Sequence, residues 1–344
     1  MNRKKFLSSV AAAAVPLLGF PQIKDAGLED IAADGEKQTF IPHYLKPGDT
    51  IGITCPAGYI TPEDTAPGIK VIESWGYKTR IGNTVGKRDN TFGGTDEERA
   101  ADFQAMLDDS SIKAILCARG GYGMVRIIDR IDFEAFRKKP KWIIGFSDVT
   151  VLHCHLDKWH IASLHSKMLN SFPKDWSVAE PIQIETILSI KAALAGEKTN
   201  ISALPNPYNR NGFAKGVLVG GNLSIIYNMA ATASDINTNG KILFIEDVSE
   251  YYYSIDRMLW NLKRSGKLKN LAGLIVGGFN RLKNDEGEEF GHDHYDMISS
   301  LVKEYKYPVC FDFPVGHQKN NYALKCGMQH QLFVDGEKTV LKEV

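Results

Sequence analysis

The chain has 344 residues, 43% hydrophobic and 24% charged, a composition that excludes a disordered protein and supplies enough chain for two domains with sizeable cores. Lys plus Arg equals Asp plus Glu at 41 each, so no overall basic field draws in nucleic acid. Arg3, Lys4 and Lys5 precede an apolar, alanine-rich run at 6–20, the pattern of an export signal. That run is too short for a comfortable transmembrane helix, and no cysteine follows it to carry a lipid, so no membrane anchor is expected. The order R-K-K-F-L at 3–7 is similar to a twin-arginine signal with lysine in the second place. Residues 1–24 are therefore read as an export signal, secretory or twin-arginine-like, and 25–39 as a polar linker. Losing the basic residues with the signal leaves the remainder slightly acidic.

Short apolar runs then alternate with helical patterns: strands at 50–54, 78–81, 114–117 and 141–146, helices at 62–75, 96–107 and 149–159. Thr95 and Glu98 have the capping-box spacing at the start of the second helix. This alternation predicts a parallel α/β sheet, whose ligands gather at the carboxyl ends of its strands. A last helix at 181–195 closes the domain 40–195. The stretch 196–214, with Pro205, Pro207 and several asparagines, reads as a linker. A smaller α/β domain, 215–344, follows, with strands at 241–247 and 271–278, a helix at 253–265 and a closing strand pair at 331–334 and 339–341. The five cysteines have no C-x-x-C spacing and sit mostly in apolar runs, so they read as mainly buried thiols; their odd number leaves at least one unpaired.

Two loops at strand ends stand out. A-R-G-G-Y-G at 118–123 is neither a dinucleotide fingerprint nor a phosphate loop, but its glycines let backbone N–H groups approach a ligand. G-F-S-D at 145–148 places Ser147 between a strand and a helix N-terminus, where developing negative charge is stabilised. It carries only the first half of a G-x-S-x-G elbow, so Ser147 is either a nucleophile or, with Asp148, a helix cap. A nucleophilic serine needs a base and a carboxylate to orient it. In the second half, Glu246 ends the run 242–245 and His317 follows Gly316 after the run 309–315.

The ordered set A-R-G-G-Y-G, I-G-F-S-D-V-T, V-G-G-N-L, L-F-I-E-D-V and F-P-V-G-H resembles the LD-carboxypeptidase family of serine peptidases, which includes murein tetrapeptide carboxypeptidases and microcin-immunity peptidases. The resemblance covers nearly the whole chain after about residue 40. It implies a glutamine-amidotransferase-like N-terminal domain, a smaller C-terminal domain and an active site at their interface. It further implies a Ser147–Glu246–His317 triad, an oxyanion site made by the backbone N–H groups of Gly121 and Asp148, and a homodimer. The implied reaction is hydrolysis of an L-to-D peptide bond, releasing terminal D-alanine from murein tetrapeptide. The export signal is a departure from the cytoplasmic recycling peptidases that the resemblance suggests, and predicts a periplasmic enzyme acting on wall peptides or imported fragments. The segment Q-K-N-N-Y-A-L-K-C-G after His317 departs from the more apolar, proline-containing approach to Gly327 that the family suggests.

No cofactor is called for, and no metal is expected. His153 and His155 would lie about 200° apart on a helix, and no H-E-x-x-H is present. The cluster His292, Asp293, His294 and Asp296 reads as a solvated charged loop. The alternatives are an immunity-type peptidase acting on a peptidyl-nucleotide, with the aromatics at 251–253 stacking on the base, and an exported binding protein without a nucleophile.

Overall fold

The computed structural model describes residues 39–344. The expected export signal, 1–24, and all but the last residue of the expected linker, 25–39, lie outside the described residues. The first half alternates β1 (Thr50–Thr54), α1 (Pro62–Ser74), β2 (Lys78–Ile81), α2 (Asp96–Asp108), β3 (Ile112–Cys117), α3 (Met124–Ile127), α4 (Glu134–Lys138), β4 (Trp142–Gly145), α5 (Thr150–Asp157), β5 (Ser163–His165) and α6 (Pro181–Leu194). The second half runs β6 (Asn200–Ala203), β7 (Gly212–Asn222), α7 (Leu223–Met229), β8 (Ile242–Val248), α8 (Tyr252–Arg264), β9 (Gly273–Asn280), α9 (His294–Val302), β10 (Val309–Cys310), β11 (Leu324–Cys326), β12 (Gln329–Val334) and β13 (Thr339–Glu343).

Two sheets result, a mixed α/β architecture. The first has the order β11-β5-β4-β3-β1-β2, with β1 to β5 parallel and β11 antiparallel at its edge. The second has the order β10-β9-β8-β7-β12-β13-β6, parallel from β10 to β7 and antiparallel beyond. Strands β4 and β8 are buried on both faces, which is why they read as continuous apolar runs. In β12, buried positions alternate with more exposed ones, as suits an antiparallel strand with one covered face. The capping box at α2 forms as expected: Thr95 N–H donates to Glu98 Oε2 at 3.0 Å, and Glu98 N–H to Thr95 Oγ1 at 3.2 Å. All five cysteines are buried free thiols; burial pushes Cys55 up to about 12.

Three features differ from the sequence reading. Within the expected linker, 196–214, four residues form β6, because Ile201 and Ala203 alternate with polar neighbours and bury against the second sheet. The apolar run 309–315 before His317 is a strand only at β10; Asp312, at φ 55°, turns the chain out of the extended conformation. Strand β11 comes from the second half of the sequence but pairs with β5 in the first sheet, Leu324 opposite His165.

Candidate active site

Strand β4 ends at Gly145, where a φ of 155° disfavours a side chain and a Cβ would lie 2.8 Å from Val149 Cγ2, so glycine is required. Phe146 is extended and Ser147 then takes φ 61°, a left-handed conformation uncommon for a non-glycine residue and usually imposed where a side chain must be aimed. Ser147 opens a single 3-10 turn, 147–149, that runs into α5. No side chain caps that turn or α5, so neither Ser147 nor Asp148 caps the helix that follows it. The Asp148 carboxylate instead accepts the Met124 N–H at 2.7 Å, at the start of α3. Burial pushes Asp148 up to about 6, against the opposing pull of the Met124 amide and the Arg99 charge.

Glu246 ends the apolar part of β8 and is completely buried. Its Oε2 lies 2.7 Å from His317 Nδ1 and also accepts the His317 backbone N–H at 3.1 Å. The approach is tight: a Cβ on Gly316, at φ 102°, would lie 2.6 Å from that oxygen. On the other side of the ring, His317 Nε2 is 3.2 Å from Ser147 Oγ. A carboxylate only accepts, so Nδ1 carries a proton and Nε2 is left to accept from the serine hydroxyl. Burial pulls the imidazole down, but the hydrogen bond and charge of Glu246, helped by Asp247, outweigh it and His317 is raised above its usual 6.5. The loop around His317 is held by Asn280 Nδ2, which donates to His317 O at 2.9 Å, and by Asn321 Oδ1, which accepts Gly316 N–H at 2.9 Å. The structure thus brings Ser147, His317 and Glu246 into one hydrogen-bonded chain, drawn from the carboxyl ends of β4 and β8 and the loop after β10.

The glycine loop after β3 lies against the serine. A Cβ on Gly120 would sit 3.0 Å from Ser147 Cβ and 3.2 Å from Oγ. The Gly120 carbonyl accepts Gly58 N–H at 2.8 Å, so the planar trans peptide turns the Gly121 N–H away from Gly58. Neither Gly121 N–H nor Asp148 N–H has an acceptor among the described residues.

Sequence reasoning missed the side chains that hold these loops. Arg99, on α2, has no exposed surface. Its Nη1 donates to Pro56 O at 2.6 Å and Gly123 O at 2.9 Å, its Nε to Gly94 O at 3.2 Å, and its Nη2 pairs with Asp96. One guanidinium therefore ties together the loops that follow β1, β2 and β3. One turn further along, Asp102 accepts Thr54 Oγ1 at 2.6 Å and Asn83 N–H at 2.7 Å. The available signal was an Arg and an Asp three residues apart beside Phe103 and Met106 on one buried helix stripe.

The histidines weighed as metal ligands are engaged elsewhere. His153 bonds Ser163 Oγ at 2.8 Å and Gly145 O at 2.9 Å, and His155 bonds Ser234 Oγ at 2.8 Å. Asp293 is not in a loose loop: its carboxylate accepts Asp296 N–H at 2.9 Å and caps α9, while His294 stacks on Phe279. No group of three or more potential metal ligands occurs among the described residues.

Residues 51–166 match the LD-carboxypeptidase N-terminal domain and residues 215–332 the LD-carboxypeptidase C-terminal domain. The chain belongs to the LD-carboxypeptidase family. It is 33% identical to a probable murein peptide carboxypeptidase of Bacillus subtilis, over 88% of this chain and 94% of that protein. The crystal structure of a muramoyltetrapeptide carboxypeptidase from Oxalobacter formigenes superposes with a TM-score of 0.76 at 29% identity, covering 86% of this chain and 98% of the other. The microcin C7 self-immunity protein MccF of Escherichia coli is more distant, 24% identical over 87% of this chain and 94% of its own length. The LD-carboxypeptidase relationship makes this protein a peptidase, and its two-sheet architecture is that of the family's solved structures.

Proposed function

We propose that this carboxypeptidase is a serine enzyme that hydrolyses the bond between an L-centre and a terminal D-residue, releasing D-alanine from murein tetrapeptide through an acyl-enzyme. The observation that carries the reading is the chain Ser147 Oγ, His317, Glu246, at 3.2 and 2.7 Å, with the serine on a left-handed turn. His317 takes the serine proton as Oγ attacks the carbonyl carbon, and Glu246 orients and stabilises the imidazolium that forms. Gly121 N–H and Asp148 N–H receive the oxyanion. His317 then gives its proton to the departing amine, and a water activated in the same way releases the shortened peptide. The murein substrate is supported by the names of two relatives, the Bacillus subtilis protein and the Oxalobacter formigenes enzyme.

The test is incubation with synthetic murein tetrapeptide and mass detection of one lost D-alanine. Loss with the native chain and none with Ser147→Ala supports the reading; equal release by both removes Ser147 from the chemistry. If neither releases it while a peptidyl-nucleotide is cleaved, the immunity-type substrate replaces murein.

The reading extends to a periplasmic homodimer. Residues 3–20 support export, to be checked by cell fractionation. Tyr253 and Trp260, exposed on α8, support a self-associating face, to be checked by sedimentation.

A further inference from the structure

Hydrolysis at a chain terminus needs a group that recognises the terminal carboxylate, and Ser147, the neutral His317 and Glu246 offer that anion no cation. Its place follows from the mechanism proposed above. The departing amine takes its proton from His317 Nε2, and the carboxylate carbon is two bonds from that nitrogen, so its oxygens lie roughly 3 Å from it, on the histidine side. The cation sought is therefore one whose charge reaches the His317 ring.

Arg281 meets that requirement. It follows β9 directly, and the end of β9 is tied to the histidine segment: Gly278 N–H donates to Val315 O at 3.0 Å and Asn280 Nδ2 to His317 O at 2.9 Å. The Arg281 charge opposes protonation of the His317 ring, so the guanidinium stands near it. The side chain is exposed and makes no hydrogen bond, ion pair or cation–π contact among the described residues. Its backbone is left-handed, at φ 54°, uncommon for a long side chain and sustained by ties on either side. Just before it Ser249 N–H donates to Asn280 O at 2.9 Å, and just after it Lys283 N–H donates to Glu250 O at 3.0 Å. Other cations on the loops around the catalytic chain are committed. Arg119 donates to Tyr59 O at 2.9 Å and stands over that ring, Lys167 donates to Lys319 O at 2.6 Å, and Lys319 pairs with Glu180.

We propose that Arg281 receives the terminal carboxylate of the substrate and so restricts cleavage to the last peptide bond, an inference that rests on the serine mechanism proposed above. A guanidinium presents paired N–H donors that one carboxylate accepts side by side. A peptide that continues past the scissile bond, or ends in an amide, brings no such charge to this point.

The experiment compares hydrolysis of synthetic murein tetrapeptide and of the same peptide with its terminal carboxylate amidated, by the native chain, Arg281→Met and Arg281→Lys, with Ser147→Ala as control. The native chain is expected to prefer the free acid about a hundredfold in kcat/KM, mostly through KM. Arg281→Met is expected to cleave the free acid about a hundredfold less well and the amide as the native chain does, so that the preference disappears. Its melting temperature should not change, since the side chain has no partner within the described fold to lose. Arg281→Lys, which keeps the charge without the paired donors, should keep a preference of about tenfold. A preference for the free acid that survives in Arg281→Met overturns this inference and leaves the serine mechanism standing, and so does a native chain indifferent to amidation. Equal hydrolysis of the free acid by Ser147→Ala removes the serine mechanism, and with it the placement of the carboxylate. Cleavage of neither peptide by the native chain overturns both.

Discussion

The serine and the histidine reach the same point in space by different kinds of construction. Ser147 stands on a regular scaffold, a buried parallel strand running through one left-handed residue into a helix, with neighbouring loops tied by the buried Arg99. His317 stands on an irregular segment that leaves a two-residue strand and is held by individual side chains, Glu246, Asn280 and Asn321. In the proposed mechanism the nucleophile's position is therefore specified by repeating backbone bonds, and the base's by a few polar contacts that can be altered one at a time.

Mutations sharpen this contrast. Ser147→Ala or His317→Ala is expected to lower kcat by about a millionfold while substrate binding, measured on the inactive protein, is largely retained. Glu246→Gln keeps the shape of the buried site but loses the charge that orients the ring, and a drop of about ten-thousandfold in kcat is expected in steady-state kinetics. Arg99→Met releases three loops on the serine side without touching the catalytic chain. It should lower kcat about a hundredfold through misplacement, and equilibrium denaturation should show the protein less stable by about 3 kcal/mol or more. Asn321→Ala removes a buried side chain on the histidine side and leaves the Gly316 N–H unpaired, so a fall of about tenfold in kcat with a loss of about 1–3 kcal/mol in urea denaturation is expected; a larger loss of kcat than for Arg99→Met would reverse the contrast.

The smallest effect is a displacement of the pH profile. His317 must be neutral at Nε2 to accept the serine proton, and Glu246 raises it, so kcat/KM falls on the acid side with an apparent pKa above 6.5. In Glu246→Gln the residual activity should show this limb moved to lower pH, because burial then acts without the compensating charge. A limb that stays in place would show that another group titrates.

Much of the serine side was legible in the sequence because its signals are local. A continuous apolar run reads as a buried strand, and Gly145 marks the sharp turn at its end. The partners Glu246 and His317 were found by residue type at strand ends and by family motif, since nothing local reveals which two of many polar residues meet Ser147. Arg99 was not found, because its only sign is its place with Asp102 on the helix stripe of Phe103 and Met106, and a charged residue there reads first as solvent-facing. Strand β6 was hidden by its place in a stretch whose Pro205, Pro207 and asparagines read as a linker, and β11 by the fact that pairing across more than a hundred residues leaves no local trace.

Strand β11 makes the two halves of the chain inseparable. The segment carrying His317 leaves the second sheet at β10 and enters the first at β11, so it is pinned at both ends to different sheets. A fragment ending before residue 215 would expose β5 as a bare edge, and a fragment beginning there would carry β11 with nothing to pair against. The gene can be divided neatly between its two family segments, but the folded product cannot: opening the halves like a hinged clamp would require stripping β11 from β5. A rigid-body separation of the two sheets would therefore have to break the β11–β5 pairing, while the loops at the strand ends can move without it.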